Sequence, residues 1–426
     1  MKGRTTAAFA MMGCCSLAPA QSTQQPVQSI DQLLWPDDGK FLAYPTEPDE
    51  RRFRFSVFGG LEQDSNPFRL SDSVNPLTVL GSPEKSDTLR RGGIGLKADL
   101  PQSRQRFLID LSAELNDYSR FDVLDHTAYR AIGTWKWRAG PNWSGDVGYG
   151  RRRFLASLAE IQAPIKDLIT EDRAFGTSNL MVTPRWRLRG EADYTRWDHG
   201  ESTREALDAR IWSATGGIDY VTPQDNSVGA QIKYSEGEYP NREVVPGGTV
   251  DNQFEEYEVS LVLRYGVTGK STLYGRAGYT NRWHEQVTER NFDGFTGRVD
   301  YDWFVGPKTL LGLSAWREIR STEDLSASYV VSTGWAAGPG WAPTSKLLVQ
   351  ARYIREDLEF RGDPGFVLSG TPPREDTFRG LQLYGGYAPR RNIRLSIGLK
   401  VGDRESNVVT REYDYHAISA NAKVQF

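Results

Sequence analysis

Arginine and lysine recur at alternate positions in several segments of this chain, and that spacing could do one kind of chemistry. On an extended strand it places a row of fixed positive charge on a single face, which lowers the cost of bringing an anion alongside. Arg185, Arg187 and Arg189 form the densest row. The same alternation selects Arg130, Lys136, Lys233, Arg264, Arg276, Arg298, Arg352, Arg394 and Lys400. Glu191, Asp193, Asp300 and Asp302 fall on the same faces, so cations outnumber anions in the set. Three like charges two residues apart repel one another, so a structural role for Arg185, Arg187 and Arg189 would need anionic neighbours. The preceding segment, 171–183, offers Glu171 and Asp172 only at its far end. The row therefore reads as an unpaired basic ladder suited to capturing an anionic chain. The competing reading is that Arg and Asp pair across neighbouring strands and fill the interior.

Other chemistries find little support. His126, His199, His284 and His416 fall at loops or strand ends, and no Ser or Asp is tied to any of them by a recognisable motif. Asp300 and Asp302 share a face and could hold a cation, but a salt bridge to Arg298 or to a neighbouring strand is the stronger expectation. No glycine-rich phosphate loop, zinc spacing or EF-hand occurs. The chain is expected to need no cofactor or metal and to be no enzyme.

The elements that must position these charges are strands. In Asn392–Val401 the odd positions are apolar and the even ones polar or Gly. Phe295, Gly297, Val299, Tyr301, Trp303 and Val305 share one face, and Thr296, Arg298, Asp300 and Asp302 the other. Tyr257, Val259, Leu261, Leu263 and Tyr265 form another stripe. Strict alternation over ten or more residues is a long strand with one apolar face. Strands of soluble proteins usually have about 5–6 residues, whereas a tilted membrane strand needs about 9–11.

Short turns recur, among them Pro101-Gln102-Ser103, Gly140-Pro141-Asn142, Thr183-Pro184, Thr268-Gly269-Lys270, Gly306-Pro307-Lys308 and Gly338-Pro339-Gly340. Longer polar connections alternate with them, such as Ser157–Thr170 and Arg361–Glu375. Tight turns on one rim and long loops on the other are the pattern of an outer-membrane barrel. A propeller with a similar repeat length would need more turns per repeat and shorter strands. The expected fold is thus an all-β, transmembrane, antiparallel up-and-down barrel over residues 51–426. It should have about 18 strands, with 16 as the alternative because 53–63 and 227–237 alternate most weakly. No run of about 18–20 apolar residues exists, which excludes a helical membrane span.

Both ends of the chain agree with that expectation. Lys2 and Arg4 precede an uncharged stretch to Leu17, and Ala18-Pro19-Ala20 supplies small residues for cleavage, so residues 1–20 read as a secretory signal peptide. A lipoprotein processed at Cys14 is the alternative. Cleavage after Ala20 removes two of the 52 Lys and Arg against 55 Asp and Glu, which moves the formal charge from −3 to −5, and it removes both cysteines. No basic bias points to nucleic acid. Residues 21–50, rich in Gln, Pro and Asp, read as a mostly irregular periplasmic lead-in. At the other end Phe426 closes an alternating strand whose Val424, Ala422, Ala420 and Ile418 share its face. That pattern fits the terminal signal read by the barrel-assembly machinery.

Five segments carry a family likeness: Asp64-Ser65-Asn66-Pro67-Phe68-Arg69-Leu70-Ser71-Asp72, Ser86-Asp87-Thr88-Leu89, Gln105-Arg106-Phe107-Leu108-Ile109-Asp110, Ser119-Arg120-Phe121-Asp122 with Leu124-Asp125, and Tyr129-Arg130-Ala131. Their order and spacing over residues 53–140 resemble the EpsL family, outer-membrane proteins of exosortase-associated (PEP-CTERM) exopolysaccharide biosynthesis systems. Pro67 stands where an apolar residue such as Leu is expected. The resemblance implies a barrel in the bacterial outer membrane that helps an exopolysaccharide leave the cell. Its implied partners are outer-membrane lipid and lipopolysaccharide, the polymer, and periplasmic and inner-membrane synthesis proteins. A general diffusion porin or small-solute channel is the alternative expectation, and a structural or adhesive surface barrel a third.

Overall fold

The computed structural model describes residues 51–242, 244–245, 248–249, 253–285, 288–320, 327–362 and 372–426. The expected signal peptide and lead-in, residues 1–50, lie outside the described residues.

Alternating sequence becomes long strands here. They are β1 (Phe53–Asp64), β2 (Asp87–Gln102), β3 (Gln105–Tyr118), β4 (His126–Ala139), β5 (Trp143–Leu155) and β6 (Leu168–Met181). Next come β7 (Trp186–Asp198), β8 (Ala209–Val221), β9 (Ser227–Glu238), β10 (Phe254–Thr268), β11 (Ser271–His284) and β12 (Phe292–Gly306). The last are β13 (Thr309–Arg320), β14 (Tyr329–Thr344), β15 (Leu347–Arg361), β16 (Glu375–Arg390), β17 (Ile393–Ser406) and β18 (Tyr413–Gln425). All belong to one 18-stranded sheet, each strand pairing with its sequence neighbours. The sheet closes through an antiparallel β1–β18 pair, Ser56 opposite Gln425 and Asp64 opposite Ala417. The count of 18 holds, and both weakly alternating segments are strands.

Two rims differ as expected. Turns such as 103–104, 269–270, 307–308 and 391–392 carry one rim, and connections such as 65–86, 156–167 and 199–208 the other. The long-loop rim is the extracellular one. One expected turn is misplaced: Gly338-Pro339-Gly340 lies inside β14, and the turn falls at 345–346. Gly338 stays because a Cβ there would sit 2.0 Å from the Ala351 carbonyl oxygen. Pro339 lacks the N–H of a ladder bond, and the register between β14 and β15 skips Gly338 and Pro339.

The outer face is a lipid surface. Leu188, Ile218, Ile232, Val259, Leu261 and Val299 are exposed along its middle. Rings border this aliphatic band on both sides. Trp137 meets Trp143 at 5.2 Å and Trp186 meets Tyr220 at 5.4 Å near the turns. Trp212, Tyr234, Tyr257 and Trp283 form a continuous row nearer the loops, with centroids 4.7 to 5.2 Å apart. An apolar belt between two aromatic girdles is the signature of a barrel embedded in an outer membrane. The even-numbered faces of β10 and β17, including Ser260 and Ser396, point inward, and Leu261 and Leu395 point out.

Candidate functional site: the lumen wall and its extracellular mouth

The inward faces divide into two sectors. In the first, β4 to β13, cations are matched by carboxylates on the same or a nearby strand. Lys136 pairs with Asp146 at 3.0 Å, Arg152 with Glu171 at 2.7 Å and Arg173 with Asp193 at 2.6 Å. Arg282 meets Glu256 at 2.7 Å, with both side chains almost fully buried. Arg276 bridges Glu258 at 2.5 Å and Glu318 at 3.2 Å. Arg298 pairs with Asp300 at 2.7 Å, and Asp300 also accepts from Ser314. Asp300 is thus a salt-bridge partner, as expected for it.

The arginine row behaves differently from its expectation. Arg187 Nη2 lies 2.7 Å from Asp219 Oδ2, and Arg189 Nη2 lies 3.4 Å from Asp219 Oδ1. Arg189 also donates to Gln231 at 2.9 Å and lies 3.8 Å from Glu191. Arg185 is not on the strand at all. It sits exposed in the turn before β7, where its carbonyl accepts from Val221 N at 2.7 Å. The unpaired ladder is therefore corrected to a paired one. The missing acid came from β8, where register sets Arg187 directly opposite Asp219.

The second sector is the periplasmic half of β14 to β18. Its inward charged residues are Arg352, Arg394, Lys400 and Lys423, and those faces carry no carboxylate below Glu356 and Asp376. Cross-strand register lines up Arg352, Gln382 and Lys400 in one row. Lys400 lies 3.9 Å from Glu62 on β1. Small inward residues, including Gly338, Gly340, Gly386 and Gly398, leave room beside the cations. Of the other expected lumen residues, Arg130 faces inward opposite Arg152, and Arg264 faces inward near the periplasmic end of β10.

Above both sectors the loops fold over the mouth. Phe68, Leu70, Leu80, Phe121, Leu124 and Leu158 form a small apolar core there. Arg69 pairs with Asp64 at 2.8 Å and stacks over the Tyr415 ring at 3.5 Å. A one-turn helix, α2 (Leu158–Ile161), follows the earlier loop helix α1 (Pro76–Leu80) and buries Glu160. Glu160 Oε1 accepts from Arg404 at 2.8 Å and Oε2 from Arg374 at 3.0 Å, while its carbonyl accepts from Arg411 at 2.9 Å. No signal in the sequence points to this cluster, because Glu160 lies more than 200 positions from its arginines.

The histidines do not converge on one site. His126 bonds the Leu124 carbonyl, and His199 lies 3.1 Å from Asp208 in a loop. His284 ends β11, and His416 faces outward within β18. Among the described residues no group of three or more His, Cys, Asp or Glu could hold a metal ion. The terminal aromatic is engaged: Phe426 N donates to Phe55 O at 2.7 Å and the two rings lie 6.4 Å apart. Val424 pairs with Val57 and Ala422 with Gly59 across the seam.

The fold and these walls define a porin-like 18-stranded barrel of the bacterial outer membrane. No family model matches the chain, and no curated protein is significantly similar to it. Among solved structures it is similar to OccK2 (OpdF) of Pseudomonas aeruginosa, with a TM-score of 0.50 and 10% identity over 88% of this chain and 98% of that one. OpdQ of the same organism covers 99% of its own length and 88% of this chain at 13% identity and a TM-score of 0.47. The outer membrane protein OpdK aligns over the same share at 8% identity and 0.48. At such identities the likeness is one of fold, and it rests on OccK2.

Proposed function

We propose that this protein is a passive outer-membrane channel that assists export of an anionic exopolysaccharide. What supports the reading is the excess of cations on the inward faces of the periplasmic half of β14–β18, where Arg352, Arg394, Lys400 and Lys423 outnumber the nearby carboxylate Glu62 of β1. An 18-strand barrel is too wide for wall side chains to fill, so the strip borders space a solute can use. Fixed cations along one side lower the electrostatic cost of a polyanion there. The polymer itself is suggested by the EpsL-like segments of residues 53–140. Its driving force would come from synthesis and periplasmic partners.

The test is the triple variant Arg352→Gln, Arg394→Gln, Lys400→Gln. It is expected to fold, to lose anion selectivity in planar bilayers and to lower secreted polysaccharide. Wild-type secretion and selectivity in the folded variant would refute the proposal. A small-solute channel is the second reading, favoured by loop 156–167, which reaches across the mouth and narrows the path for a polymer. Loss of selectivity with unchanged polysaccharide would support that reading instead.

A further inference from the structure

Loop 156–167 leaves β5 and returns to β6, yet its tip is held a third of the way round the wall. Around the closed ring β5 and β17 are six strands apart, roughly 29 Å along the wall at about 4.8 Å per strand. Leu158 anchors the near side in the apolar core formed with Phe68 and Leu124. Gln162 adds a bond from its side-chain amide to the Arg69 carbonyl at 2.7 Å. The far side is held through Glu160, whose carboxylate accepts from Arg374 and Arg404 and whose carbonyl accepts from Arg411.

That far-side pocket has the makings of a carboxylate site. Arg374 and Arg404 each approach one oxygen of the Glu160 carboxylate, and both also contact Asp376, at 2.5 and 3.5 Å. The Arg374 guanidinium lies 4.0 Å over the Phe360 ring and that of Arg404 5.0 Å over Tyr413. All three carboxylate-pairing side chains are at most 5% exposed. With the Glu160 carboxylate gone, Arg374 and Arg404 would still meet Asp376 and Arg411 would keep the Glu160 carbonyl, and the first two guanidinium groups would attract a carboxylate of matching geometry. Burial opposes ionisation of Glu160, but Arg404, Arg374 and Arg411 outweigh it and hold the carboxyl well below its usual range.

We propose that Glu160 is a tethered carboxylate seated in a carboxylate-binding site at the extracellular mouth, and that a uronate-type saccharide competing for Arg374 and Arg404 releases loop 156–167 and widens the channel. Export of a uronate polymer would then hold its own exit open. The inference rests on the channel reading above, since it assigns the polymer its charged group and the mouth its gate.

The full-length protein tests this in two ways. In planar bilayers, E160Q that still shows heat-modifiable migration is expected to conduct several-fold more than wild type. Equal conductance of the two folded proteins overturns the gate. Independently, A159C is introduced into a chain carrying Cys14→Ser and Cys15→Ser and labelled with a membrane-impermeant thiol reagent. Labelling should be slow, accelerate several-fold with oligogalacturonate, and stay slow with a neutral gluco-oligosaccharide. A rate indifferent to oligogalacturonate, or equally raised by the neutral sugar, overturns the carboxylate site, and this arm decides if E160Q does not fold. Oligogalacturonate-dependent labelling in a protein that never conducts, as wild type or E160Q, would overturn the channel reading and uphold the site.

Discussion

The two sectors of the lumen wall use the same residue type to opposite ends. On β4–β13 arginine is structural: Arg282, Arg276, Arg187 and Arg173 each spend their charge on a carboxylate within 3 Å. On the periplasmic half of β14–β18 the cations Arg352, Arg394, Lys400 and Lys423 have Gly, Ser, Gln and Asn beside them on their own strands, and Lys400 reaches Glu62 of β1 at 3.9 Å. A guanidinium bound to a carboxylate presents a dipole to the lumen, and its field falls off quickly. Cations in excess of the carboxylates on their own strands present a net charge, which persists over about a Debye length of 8 Å at physiological salt. The teaching is that counting basic residues on a barrel's inner face says little until each is assigned a partner.

The largest expected effect breaks a pair in the first sector. Glu256→Gln leaves Arg282 buried at 2% exposure without its carboxylate. Removing one partner of a buried pair costs about 3–5 kcal/mol. Denaturant unfolding in detergent should show that loss, whereas Arg352→Gln should leave the midpoint nearly unmoved. Equal midpoints for the two variants would erase the distinction between the sectors.

A smaller effect is expected from the face assignment within the second sector. Leu395→Asp places a carboxylate in lipid, at a cost below the roughly 2–4 kcal/mol of Arg or Lys at the midplane. Ser396→Asp points the same group into the lumen near Arg394 and Lys400 and should fold normally, as read by heat-modifiable gel migration. It should also reduce anion selectivity, because it supplies the acid this sector lacks. Matching defects at both positions would mean the inward and outward faces are reversed.

Selectivity alone separates the sectors next. Arg187→Gln removes a cation and leaves Asp219 with Arg189 at 3.4 Å, so the lumen becomes more acidic near β7 and β8. Lys400→Gln removes a cation from the strip. Reversal potentials in asymmetric salt should shift toward cations in both, and further when Arg352→Gln is added to Lys400→Gln. A strip variant without any shift would contradict the proposed path.

The smallest effect concerns pH at the mouth. Because the folded Glu160 carboxyl is held low, its contribution to loop docking is present above the ordinary glutamate value and is lost only as pH falls through the lowered one. Conductance should therefore not rise between pH 7 and pH 5. An opening transition in that window would mean that Glu160 protonates readily and the arginine site is weaker than its geometry.

Much of the barrel was legible before any coordinates, because its strands obey a local rule. The stripes at 257–265, 295–305 and 393–401 lie within β10, β12 and β17. Boundaries slipped where local chemistry misled. Leu168–Thr170 extend β6 by pairing with Arg153–Leu155, although the segment reads as polar loop. Gly338-Pro339-Gly340 looks like a turn in isolation, yet close approach of β15 explains the first glycine. Partners were less legible than faces. Alternation puts Arg187 and Arg189 on one face, but Asp219 is 30 or more positions away and becomes their neighbour only through the β7–β8 register.

The sequence by itself determined the alternating faces, the strand number and the rim that carries long loops, since each depends on side chains within ten or so residues and on the two-residue repeat of an extended chain. Tertiary structure alone decided which cations meet carboxylates, because a one-residue slip between strands would exchange every inward side chain for an outward one. It alone also brought Glu160 to Arg374 and Arg404, a contact that exists only because 18 strands close into a ring and set distant loops over one opening.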